Sequence, residues 1–195
     1  MNKKNLKESQ LPPNFTMGYA ESYIKLSKAR MIFLSEIVTT AVAADLSALL
    51  LYYDALSTDF ITIYIHTDGG EVAGLDNIYD VMQLIKSPIK TICTGKAYSA
   101  GAVLLSAGAK GHRYAFKNAN IMIHGIQAGF PIPGHDLINS KNYFKYLDNH
   151  NTNIMKILAN HTGHTLAKVK QDCKEDQFMT AKQAKDYGII DHIID

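Results

Sequence analysis

A serine at the head of an apolar run, a histidine closing an apolar strand and carboxylates at several positions are the groups in this chain that could do acyl-transfer chemistry. Ser99 stands in Gly95-Lys96-Ala97-Tyr98-Ser99-Ala100-Gly101-Ala102-Val103-Leu104-Leu105, where the residues that follow it are small or apolar. Such a run packs as a buried helix, with Gly101 removing a Cβ just behind the serine. Ser99 is therefore expected near a helix N-terminus, where N–H groups lack partners. A serine there most simply caps the helix. It becomes a nucleophile only if a base takes its proton, and that base works best when a carboxylate fixes its tautomer. His124, which closes Ile121-Met122-Ile123-His124-Gly125, is the candidate base. Asp68, Asp172 and Asp176 are candidate carboxylates, and spacing alone leaves the choice among them open. The Gly69-Gly70 turn is either an ordinary tight connection or a source of a backbone N–H from Gly70. Together with one from Ala100, it would face a developing oxyanion.

These residues need elements that bring them together. The short run Met31–Leu34 suits a buried strand, and after Thr39-Thr40 the apolar positions recur at helical spacing for about four turns. Residues 61–66 alternate with period two and stop at Asp68-Gly69-Gly70, where helical period returns through Val72, Leu75, Ile78, Met82 and Ile85. Ser87-Pro88 breaks that helix, residues 89–94 form another apolar strand, and Gly95 is expected to turn the chain into the Ser99 helix. Strands alternating with helices imply a parallel sheet whose strand ends line a crevice, with both glycine turns opening onto it. Residues 112–117 and 121–124 are further strand candidates, and residues 136–160 suit a long amphipathic helix ending near Gly163. Tyr143, Phe144 and Tyr146 give that helix more apolar surface than one neighbour covers, which points to a subunit contact. Thr180-Ala181-Lys182-Gln183 fits a capping box closed by Gly188.

Composition narrows the function classes. A chain of 195 residues, 47% hydrophobic, can bury one substantial core, and no composition shift marks a second domain. Scattered basic and acidic residues, 20 against 18, give a net charge of +2 and no support for nucleic-acid or anionic-membrane binding. The N-terminal stretch has basic residues with no apolar core behind them, so no signal peptide is expected there. Cys93 and Cys173 have no metal-type spacing and read as free thiols in a reducing compartment, which makes a soluble, cytoplasmic protein the expectation. His161 and His164 lack any further ligand pattern, so no metal is expected.

Several separate motifs agree in order and nearly in spacing with one family. Ile78-Tyr79-Asp80, Ile92-Cys93-Thr94-Gly95, Ala107-Gly108-Ala109-Lys110-Gly111, Met122-Ile123-His124, His161-Thr162-Gly163 and Tyr187-Gly188-Ile189-Ile190-Asp191 closely resemble the proteolytic subunit of the Clp protease, from about Tyr23 to the C-terminus. The resemblance implies an α/β fold of the ClpP/crotonase type, with repeated β-β-α units and a protruding handle, strand plus long helix, at about 125–160. Residues 19–195 would form one peptidase domain behind a flexible axial segment, 1–18. Carried over by position, the nucleophile is Ser99, the base His124, the carboxylate Asp176, and the oxyanion donors the backbone of Gly70 and Ala100. The implied assembly is two stacked heptameric rings enclosing the sites and fed by a Clp-type AAA+ unfoldase. With no Walker A pattern in this chain, ATP would be used by that partner.

Four departures from the family pattern bear on function. Asp68 stands where the family turn has proline, which puts a carboxylate beside the oxyanion site. The segment 125–134 is about three residues longer than usual and carries Pro131 and Pro133, which cannot donate to a substrate-binding ladder. Lys174-Glu175 reverses the usual acidic-then-basic order, so a charge-swapped inter-ring contact is expected. The apolar pocket that receives the unfoldase loop in relatives maps onto Thr62, Tyr64, Leu84, Ile92, Thr94, Tyr114 and Phe116, and the two threonines make it shallower. Asp68 and the altered loop motivate one rival, a catalytically silent scaffold subunit of a mixed complex. A crotonase-type acyl-CoA enzyme is the other, because that fold uses similar paired N–H donors, but it leaves the combination of Ser99, His124 and Asp176 unexplained.

Overall fold

Ile61, Ile63, Ile65 and Thr67 are buried while Thr62, Tyr64 and His66 between them are not, so the period-two pattern becomes a strand with one face on the core. A computed structural model describes residues 17–127 and 137–195. The expected flexible segment 1–18 lies outside them except for its last two positions, where α1 (Met17–Lys28) begins. β1 (Met31–Leu34) leads to α2 (Thr40–Leu56), whose N-cap Thr39 accepts from the Val42 N–H. Then follow β2 (Ile61–Thr67), α3 (Val72–Leu84), β3 (Ile89–Tyr98), α4 (Ala100–Ser106), β4 (Arg113–Phe116) and β5 (Asn120–Ile123). The chain closes with α5 (Leu137–Thr162), α6 (Leu166–Asp172), β6 (Gln177–Thr180), α7 (Ala181–Tyr187) and β7 (His192–Ile194).

The sheet order is β1-β2-β3-β4-β7, all parallel, with β5 parallel to β3 and β6 antiparallel to β5. Parallel strands need crossovers, and α2, α3 and α4 provide them as one packed layer. This is the expected α/β architecture. α5 supplies the helix of the expected handle, while its strand portion, with Pro131 and Pro133, lies outside the described residues.

One expectation about β3 is corrected. Gly95 does not turn the chain: at φ 146° it sits inside the strand, where the register slips from Ile65 opposite Cys93 to Thr67 opposite Ala97. A glycine marks a bulge as readily as a turn, and here the bulge lets β3 run on to Tyr98. Thr91, Ile92 and Cys93 consequently pair with β4, whereas Lys96, Ala97 and Tyr98 pair with β5. The bulge carries the strand end to the serine.

A buried ion pair ties the sheet to the C-terminal segment. Arg113, 4% exposed, donates from Nε and Nη2 to the two carboxylate oxygens of Asp191 at 2.9 and 2.6 Å, and from Nη1 to the carbonyls of Ser106 and His161. Asp191 also accepts the Gly111 N–H, so its charge is fully compensated. No helix among the described residues is long and apolar enough to cross a membrane.

Candidate active site

β3 delivers Ser99 at its C-terminal end, at the step into α4. Ser99 adopts φ 52°, ψ −120°, outside the ordinary wells for an L-residue, a conformation costing on the order of 1–3 kcal/mol that the surroundings must hold in place. Its N–H donates to the Met122 carbonyl at 2.8 Å, and its carbonyl accepts from Ala102 and Val103 in the first turn of α4. The side chain does not cap the helix. The simple capping role is therefore absent, and the hydroxyl is turned elsewhere. Gly101 lets the helix start against β2: a Cβ there would come within 2.6 Å of Thr67 Cγ2.

The hydroxyl meets His124. Ser99 Oγ lies 2.8 Å from His124 Nε2, and His124 Nδ1 lies 3.0 Å from Asp176 Oδ1. A carboxylate only accepts hydrogen bonds, so Nδ1 carries the proton in the neutral ring and Nε2 is left free to accept from the serine. His124 is 14% exposed and Asp176 45%. The antiparallel β5–β6 pairing explains the meeting: Ile123 lies opposite Gln177, which puts the residue after β5 beside the residue before β6. Gln127 Nε2 reaches the same Asp176 oxygen at 3.5 Å.

The other two carboxylates left open by spacing are engaged elsewhere. Asp172 pairs with Lys168 at 2.6 Å and accepts from the Tyr187 hydroxyl at 2.7 Å. Burial by itself would raise the Asp172 carboxyl, but these partners outweigh it and hold it below its ordinary range. Asp68 is bonded by Lys96 Nζ at 2.6 and 2.7 Å.

Gly70 is held opposite Val38. Val38 donates to the Gly69 carbonyl and accepts from the Glu71 N–H, while Glu71 Oε2 accepts from the Thr40 N–H at 2.9 Å. Both Val38 bonds use groups flanking Gly70, so the Gly70 N–H points away from Val38, and Gly70, Ser99, Ala100 and His124 line one cavity. The Ala100 N–H, at the first position of α4, has no intrahelical acceptor. Gly69 is pressed onto the serine: a Cβ there, at φ 95°, would lie 2.7 Å from Ser99 Cβ. The cavity, about 200 Å³, runs from these polar groups to a wall of Val72, Leu75, Val103, Ile126, Ile154 and Leu158. A hydroxyl with a proton acceptor, two N–H groups and an apolar recess are the parts acyl transfer requires.

Residues 17–195 match the family model described as Clp protease. The chain belongs to the Clp protease family. The match covers every residue placed in the cavity.

The remaining positions carried over from the family fall in two regions. Tyr64, Ile92 and Tyr114 form one row across β2, β3 and β4, extended by Phe33 at one edge and His192 at the other. Phe33 stacks on Tyr64 with centroids 5.1 Å apart, and Tyr114 on His192 at 5.0 Å. Thr62, Thr94 and Phe116 belong to the same strands, whereas Leu84 ends α3 in the helix layer, 74% exposed. Lys174 and Glu175 are both exposed. His161 meets the Tyr79 hydroxyl at 3.1 Å whereas His164 packs on the Tyr187 ring, so the two histidines serve different contacts. Two members of the site were not found from sequence. Lys96 pairs with Asp68 only because Thr67 lies opposite Ala97, and Gln127 reaches Asp176 only through the path of the chain after His124.

Proposed function

We propose that this chain is the serine endopeptidase subunit of a self-compartmentalised, ATPase-dependent protease that cuts unfolded polypeptides into short peptides through an acyl-enzyme. The observation that carries the proposal is the unbroken hydrogen-bond chain from Asp176 through His124 to Ser99. His124 takes the Ser99 proton as Oγ attacks the peptide carbonyl. The carbonyl oxygen becomes an anion between the N–H groups of Gly70 and Ala100, and Asp176 stabilises the imidazolium. His124 then protonates the departing amine, and water, activated by the same imidazole, releases the peptide acid. The apolar recess receives the side chain before the cut.

Family membership and the surfaces support a reading of the partners. The Tyr64–Ile92–Tyr114 row, with its two tyrosines half-buried over a buried Ile92, suits an apolar loop of a Clp-type AAA+ unfoldase, with Leu84 of an adjacent copy completing the pocket. Exposed Phe144, Tyr146 and Phe178 suit burial between copies in stacked heptameric rings, where Lys174 pairs with Glu175 of the opposite copy. Fluorophosphonate labelling read by intact mass, beside an assembly-mass measurement, tests the reading. Single-site labelling of the assembled protein supports it, and an assembled protein that never labels supports the silent scaffold.

A further inference from the structure

Asp68 raises a problem that Lys96 answers. The carboxylate follows β2 two residues before Gly70 and lines the same cavity as Ser99, Ala100 and His124. An unpaired negative charge there opposes the oxyanion that acyl transfer must form. Lys96 projects from the neighbouring strand three residues before Ser99, and its ammonium contacts both Asp68 oxygens, at 2.6 and 2.7 Å. The two side chains are 33% and 59% exposed, so the pair adds little to the stability of the fold. Its place is more informative than its strength. It joins the loop that carries Gly70 to the strand that carries Ser99, at the point where Gly69 already presses on the serine.

We infer that Lys96 is a positioning residue that cancels the field of Asp68 at the oxyanion site. The inference rests on the reading of Ser99 as nucleophile. The oxyanion is absent from the bound ground state and develops as the bond forms, so the effect falls on the rate of the bond-forming step and not on ground-state binding. The charge of Lys96 matters more than its shape, so arginine substitutes for it. With the cation gone, neutralising Asp68 restores what was lost.

The test is the fluorophosphonate labelling rate of assembled protein at saturating probe, for the wild type, Lys96→Met, Lys96→Arg and the double variant Asp68→Asn with Lys96→Met. Lys96→Met is expected to slow labelling about fivefold with little change in half-saturating concentration, as befits a partly screened charge near the reacting atoms. Lys96→Arg stays near wild type, and the double variant recovers most of the loss. The Lys96→Met defect also shrinks in 1 M salt, where the Debye length falls to about 3 Å. A double variant as slow as Lys96→Met, a defect confined to half-saturating concentration, or no defect overturns the inference and leaves the peptidase reading standing. A wild type that never labels overturns both.

Discussion

Ser99 donates its backbone N–H to the Met122 carbonyl at 2.8 Å, so the serine is stitched to the strand that ends one residue before His124. The same pairing of β3 with β5 that forms this bond sets Oγ 2.8 Å from Nε2. A change of β5 register would therefore break the Ser99–His124 contact.

Substituting members of the relay is expected to give graded losses. His124→Ala removes the proton acceptor and abolishes measurable peptide hydrolysis. Asp176→Asn leaves an acceptor but allows the wrong tautomer, costing up to about 10,000-fold in kcat, and less than His124→Ala because Asp176 is 45% exposed. Steady-state hydrolysis of a short fluorogenic peptide checks the order; equal losses would remove the orienting role of Asp176.

Gly69→Ala places a Cβ 2.7 Å from Ser99 Cβ at a backbone φ of 95°. Strain of about 1–3 kcal/mol is expected in denaturant unfolding, together with a labelling rate at Ser99 at least tenfold lower, since the loop must move away from the serine. Normal labelling with reduced stability would separate the loop from the chemistry.

Stability in acid should follow Asp191. Burial by itself raises its carboxyl, but the hydrogen bonds and charge of Arg113 and the Gly111 N–H outweigh it and hold the folded value below the ordinary one. A carboxylate lowered on folding contributes stability above its unfolded value, and that contribution is lost as pH falls through the folded value, here below about pH 4. Asp191→Ala leaves Arg113 buried and unpaired, with an expected cost of about 3–5 kcal/mol at neutral pH and a shallower acid dependence. Urea unfolding of both proteins at pH 7 and at successive steps below pH 4 measures the two effects.

Lys174→Glu should weaken ring stacking, and adding Glu175→Lys should restore it by re-pairing opposite charges between copies. Assembly mass by light scattering reads this directly. Unchanged mass in the single variant would mean that the two side chains are merely solvated.

Ser99 and His124 were legible because both stand where a regular pattern ends, the head of an apolar helix and the close of an apolar strand. Asp176 was not legible from chemistry alone. Its position depends on β6, four residues of which only Met179 is buried, too short to show a period. Asp68 and Asp172 offered the same carboxylate, but Lys96 holds the first and Lys168 and Tyr187 the second, whereas Asp176 meets His124. Gly95 was misread because a bulge and a turn ask the same thing of a glycine, and only pairing on both sides of β3 separates them. The capping box at Thr180 was legible in full, being entirely local. The proline-bearing part of the 125–134 segment lies outside the described residues.

The central claim is that Ser99 is a nucleophile activated by His124. Intact-mass measurement of assembled protein after fluorophosphonate treatment tests it most directly, with Ser99→Ala and His124→Ala in parallel. One adduct per chain in the wild type and none in either variant is the expected result. Adduct retained in Ser99→Ala, or none in a correctly assembled wild type, would contradict it.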